Sequence, residues 1–592
     1  MLSIKLKRRA RAVVTIVLLV LIGLIARLAQ IQLFTTEDFS KHHINLIEAS
    51  VKQRTQSIIL DSGRGRFIDK NDEPITGDYY PSLVLFPFLN DTTWPSKQIA
   101  SIIGVSEHTL INAVKNANAP FAFGGENPIK LTKQQQEKIN ELKVPGVFAL
   151  YQQVKTEQFI GEHLIGLVRQ NDQLLKKKYG EKLERGLISA NTEIGITGLQ
   201  KAFDEFLLPE GESKLLYHVD QLGEPLFGLN VKYTAPANPY YPTAIKTTIN
   251  KSIQLLADET VDHFDMKKGG LVLLDVETSD VVAMVSRPRI NHKNPLGDEG
   301  GKNQMIEPQI PGSIFKVVTA LAAIEENVKL GGRTFNCDLN LYGDGLDKRQ
   351  LGVLNFEQSF ANSCNYTFAK LAEDLISRNP DFFEEYANKL GLIEAVGWQG
   401  DVFHFQNFYQ FPEEQSGQIW LNDHDKKVKK AINQTAIGQK DVKISPLSVA
   451  NMMATIARGG KAKQVRAVSE IQYKNGTTLY SFPNQALGDE RLSPYSVMKI
   501  KDLLEHVISE GTGMRYKNLP YQLAGKSGTA ETGRDGIVNK WFAGYFPAHA
   551  PKYALVVVEL EADEYNTHTY DIFEKLVKEL YKLHNENGNS LK

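Results

Sequence analysis

The chain has 592 residues, of which 42% are hydrophobic and 23% charged, and a formal net charge of −1. That is too long for one ordinary domain and enough for two or three, with the composition of a globular protein. The near-neutral balance, with no basic stripe interleaved with aromatics, excludes an electrostatic footprint for nucleic acid, and the only two cysteines, Cys337 and Cys364, match no zinc pattern and are too few for a disulfide scaffold.

In chain order, Lys5, Lys7, Arg8, Arg9 and Arg11 precede an uncharged stretch from Ala12 to Ala26, and the first acidic residue is Glu37. The apolar run extends through Leu28, Ala29 and Ile31 to Leu33-Phe34, with Arg27 snorkelling to the interface. No small-x-small cleavage site follows, so an uncleaved anchor is expected. Residues 1–11 then form a cytoplasmic tail, 12–34 a transmembrane signal anchor, and the rest is extracytoplasmic by the positive-inside rule.

Residues 35–243 read as an elongated N-terminal pedestal or dimerisation-like domain. Thr132–Lys138 is a polar helical stretch, and Leu175–Lys178 is a solvated helix face. No catalytic constellation occurs here, so a spacer or docking surface is expected. Tyr233–Pro242, with three prolines, reads as a linker.

From residue 244 to 592 a second domain is expected. Gly270–Asp275 and Val281–Val285 flank the polar turn Glu277-Thr278-Ser279-Asp280 and predict a buried hairpin. Helical patterns occupy Phe356–Leu375, Asp381–Leu390, Pro446–Ala457 and Pro494–Ile508. Strands follow at Gln522–Gly528, Trp541–Tyr545 and Tyr553–Glu559, then a helix at Tyr570–Leu583. Strands at both ends of a helical centre predict an α+β fold, an antiparallel sheet with helices sewn from both termini of the domain.

The chemistry concentrates in three places. Pro311-Gly312-Ser313-Ile314-Phe315-Lys316 opens an apolar helical run and puts a hydroxyl and an amine on one face of its first turn. Burial and the positive end of the helix dipole both disfavour the ammonium form of such a lysine, which could then take the serine proton. Ser496-Val497-Met498-Lys499 offers the same spacing, so the pair alone is weak. Two further elements decide. Ser363-Cys364-Asn365 adds a second hydroxyl and an amide on a break between helical segments. Lys526-Ser527-Gly528-Thr529 adds an amine and hydroxyls on a short strand, where Gly525 and Gly528 allow close backbone approach. Only Ser313 precedes both elements.

This set of Ser-x-x-Lys, Ser-x-Asn and Lys-Ser-Gly resembles the penicillin-binding transpeptidases, and among them the monofunctional class B enzymes. The resemblance covers nearly the whole chain. Arg64–Asn71, His163–Gly166 and Gly195–Phe203 look like the family's early boxes. Ile437-Gly438-Gln439, Ser445-Pro446-Leu447 and Trp541–Tyr545 are similar to late ones. Gln200 stands where an acid is usual, Phe67 where Ile is usual, Lys70 where Arg is usual, and Asp72 where Gly is usual.

The resemblance implies a penicillin-binding transpeptidase or serine β-lactamase-like fold. It makes Ser313 the nucleophile and Lys316 its general base. Ser363 and Lys526 shuttle protons, Asn365 orients the substrate amide, and Ser527, Gly528 and Thr529 bind substrate. The backbone N–H groups of Ser313 and Thr529 form the oxyanion hole. The substrate implied is the D-Ala-D-Ala end of a peptidoglycan stem peptide, β-lactams acylate the same serine, and no metal or cofactor is called for. A polytopic glycan polymerase is the partner the resemblance leaves room for.

A membrane-anchored β-lactamase needs a base for deacylation. Glu384-Glu385-Tyr386-Ala387-Asn388 superficially matches one but lies in an amphipathic helical pattern with Phe382, Phe383 and Leu390. A β-lactam sensor needs a cytoplasmic output larger than the short segment before the anchor, whereas a scaffold role is compatible with an active enzyme. Cys337 and Cys364 are expected as two unpaired buried thiols, with a disulfide as the alternative.

Overall fold

The computed structural model describes every residue except 1, 42–43, 47–48, 50–53, 126, 157, 221–225, 227–230, 296, 298 and 587–592. The chain divides into two units. One comprises 1–63, 79–154 and 211–237, and the other 64–78, 155–210 and 238–592.

In the first unit, a helix spans Leu2–Ala29 and runs on as a π-helix over Gln30–Phe34. The stretch Ile4–Phe34 is long and apolar enough to cross a membrane. Its apolar side chains are exposed along its length, with Leu19 at 63%. The globular part has two three-stranded sheets. Thr55–Asp61, Ser213–His218 and Lys232–Thr234 form one; Gly77–Leu85, Phe121–Ala122 and Val147–Lys155 form the other. The polar stretch read from Thr132 begins a helix, Lys133–Glu141. Its capping box pairs the Thr132 and Gln135 side chains with each other's backbone N–H.

The larger unit is an α+β domain around a five-stranded antiparallel sheet. Its strands are Gly269–Asp275 (β1), Val281–Arg287 (β2), Ala524–Glu531 (β3), Ile537–Phe546 (β4) and Tyr553–Asp563 (β5), in the order β2-β1-β5-β4-β3. The predicted hairpin pairs Gly270 with Ser286 and Leu271 with Val285. Two layers of helix cover the sheet. Leu271, Leu273, Leu555 and Val557 pack with helices Lys251–His263 and Thr569–Glu586. Val272, Leu274, Val556 and Val558 share the other core with helices Lys316–Glu325 and Pro446–Ala457. Alternate residues face opposite sides of a strand, so a sheet buried on both faces needs unbroken apolar runs.

The division differs from a single domain over 35–243. Segments 64–78 and 155–210 belong to the larger unit because their apolar residues complete its core. Phe67, Ile75, Leu164, Leu199 and Phe203 are buried in the same cluster as Leu274 and Val317. Strand Arg66–Ile68 also pairs in parallel with Ala244–Thr247. Arg64 ties the segments together, its Nη2 donating to Gln200 Oε1 at 2.8 Å and Asp204 Oδ1 at 3.0 Å. Arg64 thus meets an amide at position 200 and a carboxylate at position 204. Within Tyr233–Pro242, read as a linker, Lys232–Thr234 is a strand of the first unit, and the chain passes to the larger unit at Asn238.

Cys337 and Cys364 are joined by a disulfide, with Cα atoms 5.8 Å apart. This corrects the reading of two unpaired thiols. The reason is tertiary: strand Phe335–Asn336 runs beside the Ser363 turn and brings two sequence-distant cysteines within bridging distance. Alkylation of the unfolded protein without reductant should leave its mass unchanged, and prior reduction should add two labels. Two labels without reductant would refute the bridge.

Candidate active site

Ser313 lies on a 3-10 turn, Gly312–Phe315, that feeds the helix Lys316–Glu325. Gly312 has φ +55°, and a Cβ there would stand 2.3 Å from the Thr529 carbonyl oxygen. Only glycine allows the turn to press so closely on β3. A Cβ at Gly528 would meet Ile314 Cγ1 and the Pro311 carbonyl oxygen at 2.8 Å each, so the contact is bare on both sides. The Gly312 N–H donates to Gly438 O at 3.0 Å, and Trp541 Nε1–H to Ile310 O at 3.0 Å. Backbone groups and an indole therefore pin the turn, leaving Ser313 itself half-buried.

The helix that follows is buried on every side from Lys316 to Ile324. An ammonium there needs partners. Lys316 Nζ donates to Ser363 O at 2.9 Å, Ser363 Oγ at 3.0 Å and Asn365 Oδ1 at 2.7 Å. Lys526, equally buried on β3, donates from Nζ to Ser363 Oγ at 3.2 Å and Ser527 O at 3.0 Å. One hydroxyl is thus shared by two amines. Ser363 adopts φ +59° between helices Phe356–Ala361 and Asn365–Ile376, and Asn365 opens the second helix.

Two ammonium groups on one hydroxyl repel in a dry site. Burial is the main cause that pushes the Lys316 amine well below the usual lysine range. The positive charges of Lys526 and Arg349 add to it, and Asp347 opposes it. Burial, with Arg349 second, pushes Lys526 down to about 7. A neutral amine is thus accessible at neutral pH, and a proton can pass along Lys316, Ser363 and Lys526.

β3 is the edge strand of the sheet and carries Lys526, Ser527, Gly528 and Thr529. Its unpaired side suits the addition of an extended peptide. The Ser527 hydroxyl shares a hydrogen bond of 2.7 Å with the Thr512 hydroxyl. The sequence-predicted residues Lys316, Ser363, Asn365 and Lys526 are thus linked in one hydrogen-bonded cluster. Gly528 and the Thr529 carbonyl lie against the Ser313 turn.

The competing motifs do other work. The Ser496 hydroxyl is buried and bonded to Ser493 Oγ at 2.7 Å, where Ser493 caps the helix Pro494–Ser509. Glu385 accepts from Lys389 and Asn379 on the helix Phe382–Lys389, as its amphipathic pattern suggests. Among the described residues, no group of three or more His, Cys, Asp or Glu side chains is set to hold a metal ion.

Two neighbours escaped the sequence reading. Thr512 sits between Gly511 and Gly513, a turn triplet that could have been flagged. Arg349 lies in an aperiodic loop with no local signal. Its guanidinium donates to Ser363 O at 3.0 Å and Asn362 O at 3.3 Å.

Residues 269–582 match the family described as penicillin binding protein transpeptidase domain. Among curated relatives, peptidoglycan D,D-transpeptidase PbpA of Mycobacterium tuberculosis is 29% identical over 358 residues, covering 54% of this chain and 68% of the relative. Stage V sporulation protein D of Bacillus subtilis is 22% identical over 543 residues, covering 85% of this chain and 75% of the relative. Peptidoglycan D,D-transpeptidase FtsI of Escherichia coli is 24% identical and covers 92% and 85% respectively. A solved structure from work titled "Structural coordination of polymerization and crosslinking by a peptidoglycan synthase complex" aligns with a TM-score of 0.62. At 20% identity, and covering 96% and 97% of the two chains, it shares the fold.

Proposed function

This chain belongs to the penicillin-binding transpeptidase family, and from that premise we propose how its residues carry out acyl transfer as a peptidoglycan D,D-transpeptidase. The observation that carries the proposal is the Ser363 hydroxyl held between the buried amines of Lys316 and Lys526. The neutral Lys316 amine takes the Ser313 hydroxyl proton as Oγ attacks the carbonyl of the penultimate D-alanine. The N–H groups of Ser313 and Thr529 hold the oxyanion. The proton returns through Ser363 and Lys526 to the departing D-alanine amine, leaving a peptidyl ester on Ser313. A neighbouring stem's amine then attacks the ester, and Ser313 regains its proton. Asn365 orients the donor amide, while the hydroxyls of Ser527 and Thr529 receive the terminal carboxylate beside Gly528. β-Lactams enter by the same first step.

The apolar N-terminal helix anchors the chain in the membrane. The cations from Lys5 to Arg11 keep the short leading segment cytoplasmic and put the rest outside, where the stem peptides are. A polytopic glycan polymerase is the partner that would supply new strands.

The lifetime of the β-lactam acyl-enzyme tests this reading against a β-lactamase. Purified full-length protein acylated by a penicillin and freed of excess drug should keep its adduct for hours, read by intact mass. Release within seconds, with hydrolysed penicillin accumulating, would favour the lactamase.

A further inference from the structure

Building on the transpeptidase reading, we propose that Arg349 is a positioning residue of this reaction, holding the Ser363 turn by a two-pronged grip on its backbone. Ser363 is a non-glycine residue in the left-handed region, at φ +59°. Such a conformation persists only where its surroundings hold it. The turn must be held well, because it presents two site side chains, Ser363 and Asn365, within three residues.

Its carbonyl accepts from Lys316 Nζ on one side and Arg349 Nη2 on the other. Arg349 Nη1 reaches the preceding carbonyl, of Asn362. These two donors differ in one respect. Lys316 takes up and gives back a proton during turnover, so its hold on the carbonyl changes through the cycle. A guanidinium does not titrate near neutrality and its fork spans two acceptors, so its hold persists. The loop bearing Arg349 is itself tied down. Its own N–H donates to Asp347 Oδ1 at 2.9 Å, and Gly352 N–H donates to Asp338 Oδ1 at 2.8 Å. Strand Phe335–Asn336 pairs with Val353–Leu354 to close it.

The same cation bears on both amines. Lys316 faces Lys526 and Arg349, with Asp347 opposing, and Lys526 faces Arg349. Removing the charge lets the lysines regain basicity, so a rate that needs a neutral amine rises only at higher pH. Arg349 is exposed, so its substitution leaves the core intact.

The test is the second-order rate of acylation of the full-length protein by a chromogenic cephalosporin, measured across pH for wild type, Arg349→Met and Arg349→Lys, with melting curves of each. Arg349→Met should lose about tenfold or more at neutral pH, the worth of one charge-assisted hydrogen bond. Its acid limb should move to higher pH. Arg349→Lys should keep the wild-type limb and recover part of the rate, with all three melting together. A wild-type rate and limb in Arg349→Met would overturn the proposal. So would equal losses in both variants with the limb unmoved, or a melting loss that accounts for the rate. Failure of the wild type to acylate would instead overturn the transpeptidase reading, and this proposal with it.

Discussion

Ser313→Ala should abolish covalent labelling by a fluorescent penicillin, while Ser496→Ala should label like the wild type. The acyl bond is made to the serine oxygen, so residual transition-state stabilisation elsewhere in the site cannot replace it. The variant should still fold. The turn is held by Gly312 N–H on Gly438 O and by Trp541 on Ile310 O, and none of these bonds uses the Ser313 side chain. At Ser496 the hydroxyl bonds to the capping Ser493, and its loss touches a helix end rather than the site. Gel fluorescence of the two variants beside the wild type decides. Full labelling of Ser313→Ala, or loss of label in Ser496→Ala alone, would sink the assignment.

The second large effect separates activity from stability. Lys316→Met should lower the acylation rate by at least about a thousandfold, the upper range for a general base. It should melt at or above the wild-type temperature at pH 7. Burial holds the folded-state amine well below its ordinary value, whereas in the unfolded chain it titrates normally. Between those two values the unfolded state binds a proton that the folded state does not, so stability rises with pH through that window. At neutral pH the buried lysine is therefore a cost, and an apolar side chain of similar length removes it. Desolvating a basic amine costs free energy that a well-packed apolar side chain of similar length does not carry. Lys526 follows the same logic, with its amine pushed down to about 7. Calorimetry and acylation kinetics on one preparation check both arms. Wild-type kinetics in Lys316→Met would remove Lys316 as the base. A marked fall in melting temperature would mean that its bonds to Ser363 and Asn365 outweigh the cost of burial.

Much of the domain was legible because its signals are local. Unbroken apolar runs marked β1, β2 and β5, and the 3.6-residue period marked Pro446–Ala457 and Pro494–Ser509. The helical run from Phe356 does break at the Ser363 motif, as its polar residues suggest. Other features were hidden because they depend on distant chain segments. Nothing near Arg64 says that its carboxylate comes from Asp204, 140 residues away. Nothing in the loop around Arg349 says that it ends on the Ser363 carbonyl.

By itself the sequence determined which residue types could do the chemistry, their order along the chain, the α+β layout and the long apolar N-terminal run, since all of these lie in spacing and periodicity. Tertiary structure alone decided that Lys316 and Lys526 share one hydroxyl, contacts 47 and 163 residues apart from Ser363. It also decided that Cys337 and Cys364 pair, and that 64–78 and 155–210 fold with the larger unit. The reason is the same in each case. A buried amine, a bridging sulfur or an apolar face is satisfied by whatever the closed core brings beside it, and only the packed chain specifies that neighbour.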